Sequence, residues 1–250
     1  MYNPKVLIKE SKWDSDIFNK KVGALNLETI LTSGEINSLQ KEVTKFDLVV
    51  IKDLTKNFGN SEIISNKLNG YIVDLNVQFS KNVSINSQES TENVDREKTL
   101  SSKEKLKVIE IASKAFEYSR FYNDGNIEKE TADKIFEKWV KNSFDNDTKR
   151  FILYKSDEEV LGFLLLNIND FHEEITIELI AVDNNVVAKG IGKTLMNKFE
   201  SSFSSKKYEK YLFRVGTQIN NITAMNFYIK NNYKMSRESR TYHIWNNKSS

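Results

Sequence analysis

The segment that most limits what this chain can be lies in its last third. A β-branched and apolar run, Ile177-Glu178-Leu179-Ile180-Ala181-Val182, stops at Asp183, and Lys189-Gly190-Ile191-Gly192-Lys193 follows within a few residues. Beyond the glycines, Ile191, Leu195 and Phe199 recur at helical spacing and mark one apolar face. Strand, glycine loop and helix start together make a phosphate cradle. The glycines let the backbone approach an anion, the first-turn N–H groups have no intrahelical partner, and the helix dipole favours negative charge. Lys189 and Lys193 add positive charge on either side. The turn is therefore expected to hold a phosphorylated small molecule.

Two phosphate loops fit parts of this segment. Gly192-Lys193-Thr194 matches the end of a nucleotide-binding Gly-x-x-x-x-Gly-Lys-Thr loop, but that loop needs a glycine where this chain has Val187. A β-branched residue does not readily adopt the backbone such a glycine supplies. The alternative is the acyl-CoA loop Arg/Gln-x-x-Gly-x-Gly/Ala, here Val187-Ala188-Lys189-Gly190-Ile191-Gly192. Both glycines match it and the leading basic or amide residue does not. A second string follows, Asn221-Ile222-Thr223-Ala224-Met225-Asn226-Phe227-Tyr228, preceded by the apolar run Tyr211-Leu212-Phe213-Arg214-Val215. It has the pattern Asn-x-x-Ala-x-x-x-Tyr. Asn231-Asn232-Tyr233 then stands where a glycine and an aromatic residue are usual, and Asn is the best non-glycine substitute at a left-handed helix stop.

In this order the elements resemble the GNAT acetyltransferases. Three shorter strings are similar to the branch that includes dTDP-fucosamine (dTDP-4-amino-4,6-dideoxygalactose) N-acetyltransferase and relatives acting on nucleotide-linked amino sugars. They are Trp13-Asp14-Ser15-Asp16-Ile17-Phe18, Ser119-Arg120-Phe121-Tyr122-Asn123-Asp124 and Val215-Gly216-Thr217-Gln218. The resemblance implies an α/β (α+β) GNAT fold, with a mixed, mostly antiparallel central sheet flanked by helices, plus a smaller N-terminal αβ domain. It implies direct transfer from acetyl-CoA, as co-substrate, to the amine of a dTDP-linked 4-amino-dideoxy sugar.

The same resemblance assigns roles. The pantetheine arm would lie along Leu179, Ile180, Ala181 and Val182, with a backbone N–H near Ile180 facing the thioester oxygen. The groove would open where this strand splays from the next, Tyr211 to Val215. The pyrophosphate would rest on Val187, Ala188, Lys189, Gly190, Ile191, Gly192 and Lys193. Asn221 would cap its helix or touch the arm. Tyr228 would return a proton to the leaving thiolate, with packing as its alternative. Glu178 shares a strand face with Glu174 and Thr176; it would act as base or stand exposed. For the acceptor, Arg120 beside Phe121 and Tyr122 suits a diphosphate, and Trp13 and Asp14 could line the sugar. A surface ion pair for Arg120 and a core place for Trp13 are the structural alternatives. Other small amines, a protein N-terminus, or non-catalytic CoA binding are the rival functions.

Composition narrows the classes further. The 250 residues contain no cysteine, which excludes an acyl-cysteine intermediate and disulfides. Net charge is only +2, so no concentrated nucleic-acid surface is expected. No run is long enough to span a membrane and the start lacks a signal-peptide core, so the expected location is cytoplasmic. The two histidines, His172 and His243, lie in no motif and are expected as surface or hydrogen-bonded structural residues; no metal is expected. A homodimer is left open.

Along the chain, residues 1–80 read as an αβ domain, 81–103 as a polar linker, and 104–250 as the acetyltransferase domain. Strands are expected at 22–27, 46–51, 71–77, 150–155, 160–168 and 173–182. Helices are expected from Gly34, around 104–117 and over 131–142, the last with Ile135, Phe136, Trp139 and Val140 on one face. Lys155 to Glu159 reads as a hairpin turn.

Overall fold

A computed structural model describes residues 7–83, 100–116, 118–186 and 190–246. Val187, Ala188 and Lys189 of the expected phosphate loop, and residues 84–99 of the expected linker, lie outside the described residues. The chain forms two compact units. One is drawn from Met1–Val77, Tyr118–Thr131 and Arg237–Ser250, the other from Gln78–Glu117 and Ala132–Ser236. The expected boundaries at 80 and 104 divide the chain differently. A short mid-chain segment and the C-terminal strand join the first unit, because pairing partners distant in sequence decide which unit a strand belongs to.

In the first unit, α1 (Lys12–Phe18) follows the two-residue β1 (Lys9–Glu10) and precedes β2 (Val22–Leu27). Helix α2 (Ser33–Val43) leads to β3 (Leu48–Asp53), and α3 (Gly59–Leu68) to β4 (Tyr71–Asn82). Ser11 caps α1, and Thr32 with Glu35 forms a reciprocal capping box on α2. β2 pairs parallel to β3, and β3 pairs antiparallel to the C-terminal β9 (Lys234–Trp245). The strand order is β1-β2-β3-β9-β4. Leu39 of α2 and Ile64 of α3 are buried with Val49 and Ile51 of β3 and Tyr242 and Ile244 of β9, which makes one sheet face the core.

The second unit carries the expected acetyltransferase elements. These are α4 (Ser102–Ala115), α5 (Lys129–Ser143), β5 (Lys149–Ser156), β6 (Glu159–Asn169), β7 (Glu174–Val182), α6 (Ile191–Ser202), β8 (Leu212–Gln218) and α7 (Ile222–Lys230). Its strand order is β4-β8-β7-β6-β5. β5, β6 and β7 pair antiparallel and β7 pairs parallel to β8, a mixed, mostly antiparallel arrangement. Asp157 and Glu158 both take positive φ in the β5–β6 turn, as a tight hairpin demands. At Gly162 a Cβ would meet the Ala181 carbonyl at 3.0 Å and Ile191 at 3.1 Å, so glycine there sets how closely α6 lies on β6. Ile191, Leu195 and Phe199 are buried, as their spacing predicts.

Candidate active site

The site is built by what β7 does along its length. Its ladder with β8 runs from Glu174↔Leu212 to Ile177↔Val215 and ends there, although β7 continues to Val182 and β8 to Gln218. On its other side β7 stays paired, with Leu179, Ile180, Ala181 and Val182 opposite Leu165, Leu164, Phe163 and Gly162. Among the described residues, the β8-facing backbone groups of Leu179–Val182 therefore have no strand partner, and a flexible amide chain can supply the missing one. The register with β6 slips at the same place, since Leu166 pairs with Ile177 and Leu165 with Leu179. Glu178 is the extra residue, and a bulge of this kind bends the strand and re-aims a side chain.

At the end of β7, Asp183 accepts hydrogen bonds from the Asn185 N–H and Nδ2, both at 2.9 Å, which turns the chain into a 3-10 turn over Asn184–Val186. Lys107 of α4 pairs with the same carboxylate at 2.8 Å. Hydrogen bonding to Lys107, then to the Asn185 backbone, holds the Asp183 carboxyl below the usual range. Gly190 follows as the N-cap of α6 with φ 75°, a left-handed conformation that favours glycine. No described residue lies within 4 Å of where its Cβ would stand. An open glycine turn, a helix start with uncapped N–H groups and a half-unpaired strand together fit the phosphates and amides of an acyl-CoA.

Asn221 caps α7, its Oδ1 accepting from the Ala224 N–H at 3.0 Å. Asn232 takes the left-handed stop at φ 63°. Tyr228 is 3% exposed, with its ring centroid 5.7 Å from that of Phe79 and 6.3 Å from that of Tyr233. Burial pushes its phenol well above the ordinary tyrosine range. It therefore stays protonated at working pH, the state a proton donor needs. Lys193 donates to Asn231 Oδ1 at 2.7 Å, and Lys81 of β4 reaches the Asn231 carbonyl at 3.1 Å and Glu200 at 2.7 Å.

Glu178 is held at both oxygens. Lys149 Nζ lies 2.5 Å from Oε1, and Trp139 Nε1 donates to Oε2 at 3.4 Å. Both charged side chains are largely buried. These partners were not legible as such: Trp139 carries only a helical-face signal, and Lys149 stands alone at the start of a strand.

The expected acceptor residues lie in the first unit. The turn from Ser119 closes with the Tyr122 N–H donating to the Ser119 carbonyl at 3.1 Å. Phe121 is buried, its centroid 6.4 Å from Trp13 and 6.1 Å from Phe18. Arg120 Nη2 donates to Asp14 Oδ1 at 2.7 Å, and Nη1 lies 3.2 Å from His243 Nε2. Asp14 is buried and also accepts from Ser11 Oγ at 2.7 Å.

Beyond His243 the network continues. His243 Nδ1 lies 2.5 Å from Asp124 Oδ2, which also accepts from Trp245 Nε1 at 2.8 Å. Asp124 Oδ1 accepts from Tyr71 Oη at 2.6 Å and from the Asn126 N–H at 2.9 Å. Burial holds His243 below the ordinary histidine range and outweighs the hydrogen bond to Asp124. Its neutral form, with the proton on Nδ1, presents Nε2 as the acceptor for Arg120. The Tyr71 phenol is pushed up to about 12, by burial and then by its bond to Asp124. His243 is the hydrogen-bonded histidine the sequence leads one to expect, but its partners come from positions more than a hundred residues away.

The family model described as "Acetyltransferase (GNAT) family" matches residues 108–233. The chain belongs to the GNAT acetyltransferases. A curated relative is the spore coat polysaccharide biosynthesis protein SpsD of Bacillus subtilis (strain 168). It is 22% identical over 253 residues, covering 96% of this chain and 83% of SpsD. Among solved structures, a conserved protein of unknown function from Staphylococcus epidermidis ATCC 12228 aligns with a TM-score of 0.62 at 10% identity, covering 98% of this chain and 93% of its own. A GCN5-related N-acetyltransferase from Kribbella flavida aligns with a TM-score of 0.57 at 11% identity, covering 90% and 81%. These structures share the fold. As a GNAT acetyltransferase, this chain is an enzyme of acetyl-CoA-type chemistry. Among the described residues, no helix is long and apolar enough to cross a membrane.

Proposed function

We propose that this GNAT acetyltransferase moves an acetyl group from acetyl-CoA directly to the amine of a nucleotide-linked, dTDP-type 4-amino-dideoxy sugar. The observation that carries the acceptor class is the likeness to a polysaccharide biosynthesis protein across 96% of the chain, both units included. The donor half is supported by the end of the β7–β8 ladder at Ile177 and Val215.

In this reading the amine nitrogen attacks the thioester carbonyl carbon directly and the C–S bond breaks; with no cysteine in the chain, no acyl-cysteine forms on the way. The N–H of Ile180 faces the carbonyl oxygen, where negative charge develops. Val187, Ala188, Lys189, Gly190, Ile191, Gly192 and Lys193 hold the pyrophosphate, with Asn221 ordering the helix beyond. Tyr228 gives its proton to the departing thiolate. Glu178, held beside Lys149, takes the amine proton, directly or through water. Arg120, Phe121, Tyr122, Trp13 and Asp14 serve the acceptor, Arg120 through a guanidinium whose Asp14 partner sets its direction.

The test is thiol release from acetyl-CoA with a panel of amines: a dTDP-4-amino-4,6-dideoxy sugar, spermidine, and a peptide with a free N-terminus. A chain without cysteine gives no protein background with a thiol reagent. Release with the dTDP sugar alone is the expected result. Equal or better release with spermidine or the peptide would overturn the acceptor class and leave the donor half standing.

A further inference from the structure

The first unit's sheet has two unlike faces. Cross-strand partners share a face, and Val49↔Ile244 and Ile51↔Tyr242 point into the core. Val50↔His243 and Lys52↔Thr241 must then lie on the opposite face. The two-residue repeat of β9 continues that face through Ser239 to Arg237, and His243 brings Arg120 to it. The result is a polar strip of Lys52, Arg120, Arg237, Ser239 and Thr241 within one unit.

Three features of the strip point to a missing anion. The Ser239 hydroxyl is buried, the residue being 3% exposed, and has no hydrogen-bond partner among the described residues. A buried hydroxyl without a partner is costly, and native structures rarely keep one without a reason. Lys52 is half-buried and makes no hydrogen bond or ion pair with a described residue. Its ammonium is held below the ordinary lysine range, by burial first, with the Arg237 and Arg120 charges adding to it and Asp74 opposing them. Arg120 already has a carboxylate in Asp14, and Asp74 offsets one of the two charges of Lys52 and Arg237, which leaves that end of the strip positive by one.

We propose that this face is an anion site in which Lys52, Arg237 and Ser239, continuous with Arg120, take the diphosphate of the acceptor. The assignment of the diphosphate to an acceptor rests on the nucleotide-sugar reading above. The chemistry required is that of any phosphate group: two or three cations, one of them a guanidinium able to bind two oxygens, and a hydroxyl donor.

Calorimetry of the full chain with dTDP, with inorganic pyrophosphate and with acetyl-CoA tests it, comparing wild type with Lys52→Met, Arg237→Gln and Ser239→Ala. dTDP and pyrophosphate are expected to bind wild type and to lose about tenfold in affinity with each charge removed, the scale of one charge-assisted contact. Acetyl-CoA affinity should stay unchanged. Thermal unfolding checks the fold, and Lys52→Met is expected to melt no lower than wild type because it removes a desolvated charge beside two guanidiniums. Failure of wild type to bind dTDP or pyrophosphate, or equal binding in the variants, would overturn the site. A parallel loss of acetyl-CoA binding would also overturn it, since the phosphates held would be those of the donor. Turnover of the dTDP sugar with an unchanged KM in the variants would remove the site and keep the acceptor reading. Binding lost in the variants, with no turnover of any nucleotide-linked amine, would keep the site and remove that reading.

Discussion

Replacing His243 with Gln should change how stability depends on pH as well as how large it is. His243 is fully buried, with Asp124 at Nδ1 and the Arg120 guanidinium 3.2 Å from Nε2. A second proton would have to enter a buried site on Nε2, against the Arg120 guanidinium, so burial first and that charge second hold this ring below the usual histidine range in the folded chain, although Asp124 opposes them. The unfolded chain has no such restraint and takes up the proton near pH 6.5. The unfolded state therefore binds more protons as pH falls through that value, and stability is lost on acidification rather than gained. Between pH 7.5 and 5.5 the loss through this one group is at most about 1.4 kcal/mol, the limit set by a folded ring that stays neutral throughout. Asp124, whose carboxyl is held low, contributes its own loss only below about pH 4 and does not enter this window. His243→Gln should be less stable at pH 7.5 by about 1–3 kcal/mol, because buried donors and acceptors lose partners. That deficit should narrow at pH 5.5, by no more than about 1.4 kcal/mol. Urea unfolding of both proteins at pH 7.5, 6.5 and 5.5 measures it. A deficit that is constant across the three pH values would refute the reasoning, and so would a ring resonance absent from the variant that titrates at or above pH 6.5.

Three other outcomes follow from the geometry. Tyr228→Phe should lower kcat about a hundredfold or more while leaving acetyl-CoA binding unchanged, and full activity in steady-state thiol release would sink the acid role. Gly190→Ala meets no described residue but forces alanine to φ 75°, so it should cost about 1 kcal/mol, seen as a fall in Tm of about 2–4 °C, and raise the KM for acetyl-CoA. Arg240→Met leaves Asp53 fully buried without its ion-pair partner and should cost about 3–5 kcal/mol in urea unfolding. The double variant Asp53→Asn, Arg240→Met should recover part of that loss.

What the sequence made legible is local. The run from Ile177 to Gly192 announces a strand, a turn and a helix because each is encoded by adjacent residues: alternation on β7, Asp183 and Asn185 turning the chain, and Gly190 in the left-handed region. Asn221 and Asn232 are read the same way, from caps that bond within their own helix. The bulge at Glu178 is invisible at this level, because it is a slip of register against β6 and exists only once two strands have met.

The first unit shows why the acceptor side was harder to read. In sequence Arg120 offers the phosphate chemistry of a guanidinium, and the structure gives that guanidinium a buried aspartate 106 positions away. Both statements can hold, because an arginine forks: Nη2 on Asp14 fixes its direction and Nη1 on His243 fixes its plane, which is how a protein pre-orients a group it intends for a ligand. The property that separates a structural arginine from a binding one is the balance of charge around it. That balance is set by β9, whose residues from Arg237 to Trp245 lie at the far end of the chain from β3 and α1. Lys52, read alone, is a polar interruption near the end of an apolar strand. Opposite Thr241, two steps from Ser239 and within reach of the Arg237 and Arg120 charges, it becomes a half-buried ammonium that an anion would stabilise.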